Sequence, residues 1–253
     1  MPSSVADLPF RSTALASREE FAVLSRAMKP LLDRRFEDEL RLATADGSFA
    51  YEGVCAVCGR PAEFLSSTEG GDGVGDGRRL PNWREQLKCD RCGLSTRERA
   101  LMHALKTFAE HGGDREILVL GTKTDLNPWL ERNASVVHDL VPPASGRIEL
   151  PYSAVDTAVA SDWLDKAPKL DALLREVVRV LKPGGRLLFT APFHYADELS
   201  TPAEGGREAA SFGWDLLTRL RAAGFAQAHA HLYWSEELAY LGPFNFVFVA
   251  RKS

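Results

Sequence analysis

The sequence predicts an α/β protein in three parts: an N-terminal helical segment, a small four-cysteine metal module, and a domain built on a mostly parallel sheet. Three observations support this fold class. Apolar residues recur at helical spacing near the N-terminus, all four cysteines fall in two Cys-x-x-Cys-Gly motifs, and strand-like and helix-like runs alternate after residue 114. Such alternation is typical of a parallel sheet covered on both faces. We predict part boundaries at 1–48, 49–95 and 96–253.

The bulk composition is that of an ordinary globular chain. Of the 253 residues, 45% are apolar and 26% are charged. The net charge of -4 argues against a chain that binds nucleic acid over its whole surface. No apolar run approaches the roughly 20 residues needed to cross a bilayer, and the N-terminus lacks a signal-peptide pattern. We therefore expect a cytoplasmic protein without a membrane partner. In that compartment, paired cysteines indicate metal or redox chemistry rather than disulfides.

The first part is predicted to be a loose arm over residues 1–17, followed by a helix. Apolar side chains from Phe21 to Leu42 recur at helical spacing between residues 18 and 44. Pro30 lies within this run, and proline has no backbone N–H to donate. We expect it to break or kink the helix.

The four cysteines predict a metal site. Cys55 and Cys58 form one pair and Cys89 and Cys92 the other, each followed by a glycine that lets the backbone turn toward the sulfur atoms. Four thiolates at these spacings suit tetrahedral zinc in a ribbon, with a structural role because no coordination position stays open. Iron can take the same ligands. A dithiol redox motif explains one pair at a time, and four ordinary buried cysteines are the remaining alternative.

A helix is predicted from Ser95 to about Ala109, closed by His111-Gly112-Gly113. Ser95 and Glu98 form a capping-box pattern at its start. Arg97 and Arg99 follow and could hold an anion or lie in solvent. A ribbon followed by arginines could also grip nucleic acid, but the acidic residues around it argue against that reading.

The rest of the chain predicts the α/β domain. We place strands at 116–121, 135–140, 154–161, 186–193, 226–234 and 244–250, and helices at 169–181 and 214–225. The residues Lys182-Pro183-Gly184-Gly185 predict a turn, and Gly224 predicts a helix C-cap. The last two strands alternate like an antiparallel pair and predict a hairpin-like edge at the C-terminus. A further strand at about 147–150 is expected to be reduced.

The stretch DALLREVVRVLKPGGRLLFTAPF (171–193) resembles the class I S-adenosylmethionine-dependent methyltransferase family, and LPYSAVDTAVASDWL (150–164) resembles the strand that precedes it there. The resemblance covers about residues 114–253. It implies a Rossmann-like sheet, with the zinc ribbon as an extension that some members carry. It also implies S-adenosylmethionine as the cofactor.

The cofactor loop departs from the family pattern. The family has three glycines after its first strand, which let the backbone approach the methionine part of the cofactor. Here only Gly121 is kept, and Lys123 and Asp125 stand at the other two positions, where they would crowd the pocket unless the loop is reshaped. Asp139 stands where the family has an acidic residue that binds the ribose hydroxyls. The resemblance therefore implies the candidate cofactor-binding residues Gly121, Thr122, Lys123, Asp125 and Asp139, with Thr124 adding to a polar cradle.

Candidate catalytic residues follow the predicted strands, because sites of open α/β sheets form at the carboxyl ends of strands. His194 is the candidate general base, since histidine titrates near neutrality, although it could be a loop histidine without a special role. Asp162 is the second catalytic candidate. Further candidates on these loops are Trp163, Tyr195 and His138. The segment 196–214, which includes Arg207, has the size of a lid or substrate loop.

Three functions are open at this level. The first is methyl transfer from S-adenosylmethionine to oxygen or nitrogen of a small molecule, such as a sugar or secondary metabolite. The second is a methyltransferase fold that no longer transfers methyl and serves as a scaffold, a regulatory partner or a repurposed enzyme. The third is an RNA-modifying methyltransferase. We expect a small-molecule partner rather than nucleic acid, and no pattern specifies an oligomeric state.

Overall fold

The structure is a computed structural model that describes residues 8–45, 48–67, 71, 73–74, 76–108, 115–121, 126–201 and 210–253. The chain divides into two compact units. The first unit comprises Met1–Thr13, Ala22–Thr107 and Leu232–Asn245, and the second comprises Ala14–Phe21, Phe108–His231 and Phe246–Ser253. The three-part division predicted at residues 48 and 95 stays a prediction.

The helices and strands follow the predicted order in most of the chain. The first elements are β1 (Ser12–Leu15), α1 (Arg18–Arg41), β2 (Phe49–Cys55), β3 (Arg60–Ser66), β4 (Lys88–Cys89) and α2 (Thr96–Phe108). They are followed by β5 (Glu116–Leu120), α3 (Asn127–Asn133), β6 (Val136–Leu140), β7 (Val155–Ser161), α4 (Leu170–Val180), β8 (Leu181–Thr190), α5 (Asp215–Ala223), β9 (Gln227–Ser235) and β10 (Tyr240–Arg251).

The N-terminal region differs from the prediction in two respects. Residues 12–15 form strand β1, so this part of the predicted loose arm is ordered. Helix α1 continues through Pro30, so the predicted break does not occur. Ser17 caps the start of the helix, since the backbone N–H of Glu20 donates to Ser17 Oγ (3.3 Å), and the Glu20 carboxylate accepts from the backbone N–H of Ala16 (2.7 Å). Satisfied N-terminal donors and an acidic first turn support the helix start.

The smaller sheet has the order β2-β3-β4 and is antiparallel throughout. β2 ends at Cys55 and β4 ends at Cys89, so strand ends bring one cysteine of each pair to the sheet. Phe64 lies opposite Cys89 in the β3–β4 register and is fully buried. The small sheet therefore fixes the first cysteine of each motif.

The larger sheet has seven strands in the order β1-β9-β10-β8-β7-β5-β6. Its pairs β5–β6, β5–β7 and β7–β8 are parallel, and β8–β10 is antiparallel. These observations confirm the mostly parallel Rossmann-like sheet. The predicted C-terminal hairpin forms as neighbouring β9 and β10, but it does not make the edge, because β1 lies beyond β9.

The family-like stretch 171–193 forms helix α4 and strand β8. The buried side chains of α4 recur along one face, at Leu170, Leu173, Leu174, Val177 and Val180. β8 begins at Leu181, and the predicted turn at 182–185 is an irregularity within it, between the pairs Val155–Leu181 and Thr157–Arg186.

Gly185 is required at this irregularity. A Cβ there would lie 2.8 Å from Lys182 O and 2.9 Å from Asp156 O. Gly224 caps α5 in the left-handed conformation, as predicted. The described residues 141–154 hold no strand, so the third strand of the pattern is reduced to a loop.

Within the described residues, no helix has the length and apolar character needed to cross a membrane.

Candidate functional site

The four cysteines come together into one cluster. Their Sγ atoms all lie within 4.8 Å of one another. Cys55 Sγ lies 3.9 Å from Cys92 Sγ, and Cys58 Sγ lies 3.9 Å from Cys89 Sγ. A tetrahedron with zinc–sulfur bonds of about 2.3 Å has edges of roughly 3.8 Å. The thiolates therefore fit a tetrahedral ion, and the short contacts join the two motifs, which a redox dithiol within one motif does not explain.

The two motifs have the same backbone turn. Gly59 N–H donates to Cys55 O (2.8 Å) and Gly93 N–H to Cys89 O (2.9 Å), and both glycines have positive φ, +69° and +72°. Each turn aims an amide at sulfur, since Cys58 N–H lies 3.4 Å from Cys55 Sγ and Arg91 N–H lies 3.5 Å from Cys89 Sγ. This confirms the predicted role of the glycines, and such amide donors stabilise thiolates.

The start of α2 follows the second motif directly. Ser95 and Glu98 form the predicted capping box, because Ser95 N–H donates to Glu98 Oε2 (3.0 Å) and Glu98 N–H reaches Ser95 Oγ (3.5 Å). The anion site suggested at Arg97 and Arg99 is wrong. Arg97 pairs with Glu85 (Nε–Oε1, 3.0 Å), and Arg99 is fully buried.

The second candidate region is the carboxyl edge of the parallel strands, where β5, β6, β7 and β8 end. Asp139 near the end of β6 is exposed, and its Oδ1 accepts from Asn127 Nδ2 at 2.5 Å. Asn127 is fully buried at the start of α3. The amide holds one carboxylate oxygen and leaves lone pairs on the other for further donors. Sequence reasoning missed Asn127, because an asparagine before a proline indicates a helix start just as well.

Gly121 lies beside Asp139 at the end of β5. Its N–H donates to Leu140 O (2.9 Å), and its φ is +118°, which favours glycine. A Cβ at this position would lie 2.6 Å from Trp163 Cγ and 2.8 Å from Trp163 Cδ1. The side chain of Trp163 therefore covers the side of Gly121 on which a Cβ would project. The candidates Thr122, Lys123 and Asp125, together with Thr124, lie outside the described residues.

Asp162 connects β7 to Trp163. It has a positive φ of +45°, and its N–H donates to Thr190 O at the end of β8 (3.2 Å). This turn sends the chain back toward β5 and accounts for the contact between Trp163 and Gly121. The structure thus shows a conformational role for Asp162, and its catalytic role stays a prediction.

His194 follows β8 on an exposed loop, where its side chain is 66% accessible. Its Nδ1 lies 3.7 Å from Asp197 Oδ2, and its backbone N–H donates to Phe212 O (2.8 Å). Asp197 is the acidic neighbour that sequence reasoning did not name. At 3.7 Å the two side chains are within ion-pair distance and beyond hydrogen-bond distance.

The segment after His194 is anchored at its described ends. Ser200 Oγ donates to Asp215 Oδ1 (2.5 Å), and Trp214 Nε1 donates to Tyr195 O (2.9 Å). Thr201 and Ser211 bridge the two sides of the loop. Arg207 lies outside the described residues, and the lid or substrate role of 196–214 stays a prediction.

Three further histidines lie on strands: His138, which is a candidate, and His229 and His231, whose alternation along one strand predicts a structural role. His138 is half-buried on β6. His229 and His231 have ring centroids 6.3 Å apart on β9. Burial first, and the neighbouring His229 second, lower the pKa of His231 to about 4. A buried neutral histidine beside Phe108 is consistent with the structural role expected for it.

Comparisons with known proteins agree with this fold. The family model for a methyltransferase domain matches residues 73–189. This match confirms the resemblance over that part of the chain, and S-adenosylmethionine is the cofactor of the matching family. No curated protein sequence matches the chain.

Several solved structures are similar. A putative methyltransferase from Bacillus halodurans C-125 is 15% identical, over 60% of this chain and 98% of its own, with a TM-score of 0.41. An S-adenosylmethionine-dependent methyltransferase from Mesorhizobium loti is 16% identical, over 59% and 96%, with a TM-score of 0.43. The cyclase SpnF is 16% identical, over 96% and 98%, with a TM-score of 0.44.

Proposed function

We propose that the chain is an S-adenosylmethionine-dependent methyltransferase that acts on oxygen or nitrogen of a small molecule. The observation that carries the proposal is the exposed carboxylate of Asp139, held by buried Asn127 beside Gly121 at the carboxyl edge of the sheet. Such an edge is where open α/β sheets bind nucleoside ligands. The methyltransferase domain match at 73–189 supports the same reading.

The residues of this edge suit different parts of the cofactor. Asp139 would accept hydrogen bonds from the ribose hydroxyls, and Asn127 would keep its carboxylate in one orientation. Gly121 would leave space for the methionine part once Trp163 moves away. Bound S-adenosylmethionine would supply a methyl group on a sulfonium, to which an oxygen or nitrogen nucleophile could bond with S-adenosylhomocysteine as the leaving group.

His194 and Asp197 would serve the acceptor. His194 Nε2 would take the proton that the acceptor loses, and Asp197 would stabilise the resulting imidazolium through Nδ1. The separation of 3.7 Å between Nδ1 and Asp197 Oδ2 is short enough for an ion pair once the ring is protonated. The exposed loop suits a substrate that binds from solvent.

Calorimetric titration with S-adenosylmethionine and S-adenosylhomocysteine tests the proposal on zinc-replete protein. We expect micromolar binding of both, and binding that is weaker by roughly 10- to 100-fold in Asp139→Ala. Asp171→Ala is the matched control, because Asp171 is an exposed carboxylate that pairs with Arg219 on α5. Absence of binding at millimolar cofactor, with or without candidate acceptors, would overturn the proposal.

A second candidate is a methyltransferase fold that no longer transfers methyl. The contact of Trp163 with Gly121 favours it, because the indole occupies the approach to the one remaining glycine. Trp163→Ala distinguishes the two. If the indole only gates the site, removing it leaves a protein that binds the cofactor. If the site is lost, the variant binds no better than the wild type.

A further inference from the structure

A groove lies between helix α4 and the loop that joins β6 to β7. Its volume is about 860 Å³, which is in the range of small-molecule sites. This loop stands where the third strand was predicted, so a segment without a strand forms one wall and α4 forms the other. The charged and aromatic residues of the lining are Arg147, Glu149 and Tyr152 from the loop and Arg175, Glu176 and Arg179 from α4.

The groove and the Asn127–Asp139 pair lie on opposite faces of the larger sheet. Strands β5 and β6 are neighbours joined through α3, and β7 and β8 are neighbours joined through α4. Both connections join parallel strands, and in the order β8-β7-β5-β6 they run in opposite directions. Because such connections are right-handed, α3 and α4 cover opposite faces. Asn127 begins α3, so the groove beside α4 is a separate place in the fold.

Arg179 joins the two walls of the groove. Its Nε and Nη2 donate to the Glu176 carboxylate at 2.9 Å and 2.8 Å. Its Nη1 donates to Leu150 O (2.8 Å), and its Nη2 donates to Ile148 O (2.7 Å). The backbone N–H of Ile148 donates to Glu176 Oε2 (3.1 Å). These bonds fix the loop on α4, and the charges of Arg179 and Glu176 neutralise each other.

Tyr152 presents an aromatic ring in this groove. Arg179 Cζ lies 5.0 Å from its ring centroid, a cation–π contact that orients the ring. Tyr152 is nevertheless 77% accessible, so its ring keeps an open face. A tyrosine this exposed adds little to the hydrophobic core. An open aromatic face suits the stacking of a nucleobase, with little preference among the bases.

Arg147 and Arg175 supply the positive charge of the groove. Both are exposed, and neither side chain has a hydrogen bond or ion pair to another described residue. The charge of Arg147 contributes to a lowered pKa of Glu176, after the hydrogen bonds from Arg179, which contribute most. The exposed Glu149 opposes these charges, and three arginines against two glutamates leave a net charge of +1. Guanidinium groups pair with phosphate through two parallel hydrogen bonds.

We propose that this groove binds a nucleoside phosphate, either free or as part of a single-stranded nucleic acid. The base stacks on Tyr152, and the phosphate pairs with Arg147 and Arg175. The combination of an oriented aromatic ring with two guanidinium groups carries the proposal, since a phosphate alone needs no ring and an apolar ligand needs no arginine. The proposal is independent of methyl transfer.

Calorimetric titration of the full chain with uridine monophosphate tests the proposal, because this ligand lacks the adenine and methionine parts of S-adenosylmethionine. We expect uridine to bind about tenfold more weakly, since it has no phosphate. Arg175→Ala and Tyr152→Ala should each weaken binding of uridine monophosphate by about tenfold, through loss of a charged hydrogen bond and of stacking. Tyr152→Phe keeps the ring and should bind as the wild type does. Equal affinity in the wild type and both alanine variants would overturn the proposal.

Two controls separate the groove from the rest of the sheet. Arg132→Ala is the matched control for Arg175→Ala, because Arg132 is exposed on α3, on the opposite face. Asp139→Ala should bind uridine monophosphate as the wild type does, and loss of that binding in Asp139→Ala alone would overturn the groove as the site. Binding of S-adenosylhomocysteine should be unchanged in Arg175→Ala and Tyr152→Ala, so the failure of one proposal is distinguishable from the failure of the other.

A short oligouridylate distinguishes the two sources of the nucleotide. Binding that is tighter than that of uridine monophosphate and falls steeply as salt rises would support a nucleic acid. An affinity equal to that of uridine monophosphate would support a free nucleotide. Absence of binding of both ligands at millimolar concentration would overturn the proposal. Binding of an oligoglutamate peptide that depends on Arg175 and not on Tyr152 would also overturn it, in favour of an acidic partner.

Discussion

The cysteine cluster and the carboxyl edge of the sheet are built in different ways. The cluster takes its four ligands from two short turns of the same kind, and its sulfur atoms already lie at tetrahedral separations of 3.9 Å. The edge takes its residues from loops after separate strands, and Trp163 covers Gly121. A site made from local motifs is complete once each motif forms. A site made from loops depends on how each loop lies against its neighbours.

The largest effect is expected for a substitution in the cysteine cluster. Cys89→Ser removes one ligand, and we expect loss of zinc together with a large loss of stability in the first unit. Structural zinc contributes about 10–16 kcal/mol of binding free energy in zinc-finger peptides. Zinc per chain and thermal unfolding check this. A variant that keeps one zinc per chain and the Tm of the wild type would show that the cluster does not depend on its fourth ligand.

A pH titration tests how burial of His231 affects the stability of the seven-stranded sheet. His231 has a pKa lowered to about 4 by burial, against an ordinary value of 6.5, so the unfolded chain takes up the proton first. Its contribution is complete above pH 6.5 and is lost as pH falls toward 4, by about 3 kcal/mol.

Urea titrations at several pH values compare the wild type with two variants. His231→Phe should flatten this part of the pH dependence, and His138→Phe on β6 is the control. The prediction fails if both variants keep the slope of the wild type.

The next effect concerns the held carboxylate at the edge. Asp139→Ala is expected to weaken S-adenosylhomocysteine binding by about 1.5–3 kcal/mol, or roughly 10- to 100-fold in Kd, because hydrogen bonds to a charged acceptor are lost. Asn127→Ala should cause a smaller loss, since the carboxylate remains but is no longer held. Calorimetry measures both, and equal losses would show that Asn127 does more than orient Asp139.

The smallest effect is expected for Trp163→Ala, which tests whether the lie of one loop controls cofactor binding at the carboxyl edge. Trp163→Ala uncovers Gly121 and is expected to tighten cofactor binding, by about tenfold if the covered state holds roughly 90% of the molecules. Quenching of tryptophan fluorescence on cofactor addition, absent in this variant, would report the movement of the indole. Weaker binding in Trp163→Ala would instead show that the indole itself contacts the cofactor.

Sequence patterns correctly predicted the features that depend on interactions within a few residues. The apolar spacing of α4, the C-cap at Gly224 and the capping box of Ser95 and Glu98 all appear as expected. The predicted break at Pro30 was wrong, because helix α1 continues through this residue. Strand β1 was missed, because four residues at a sheet edge carry too short a pattern to recognise.

Only some residues of the carboxyl edge could be predicted from the sequence. Asp139 and Gly121 lie at the carboxyl ends of neighbouring parallel strands, with Asp139 opposite Val119 and the N–H of Gly121 bonded to Leu140 O. Asn127, Trp163 and Asp197 reach their partners through turns whose direction no short pattern reveals. The same holds for Arg99, which reads as a surface arginine and is instead buried among carbonyls and aromatic rings.

The sequence by itself determined the four-cysteine cluster and the order of strands and helices, because a Cys-x-x-Cys-Gly turn and an amphipathic period act within a few residues. Only the tertiary structure decided that Trp163 covers Gly121, that Asn127 holds Asp139, and that Arg99 lies beside the ring facing Cys89. The residues that these contacts join are 42, 12 and 35 positions apart in the sequence, in that order. Such contacts depend on strand register and turn direction, which follow from the packing of the whole chain.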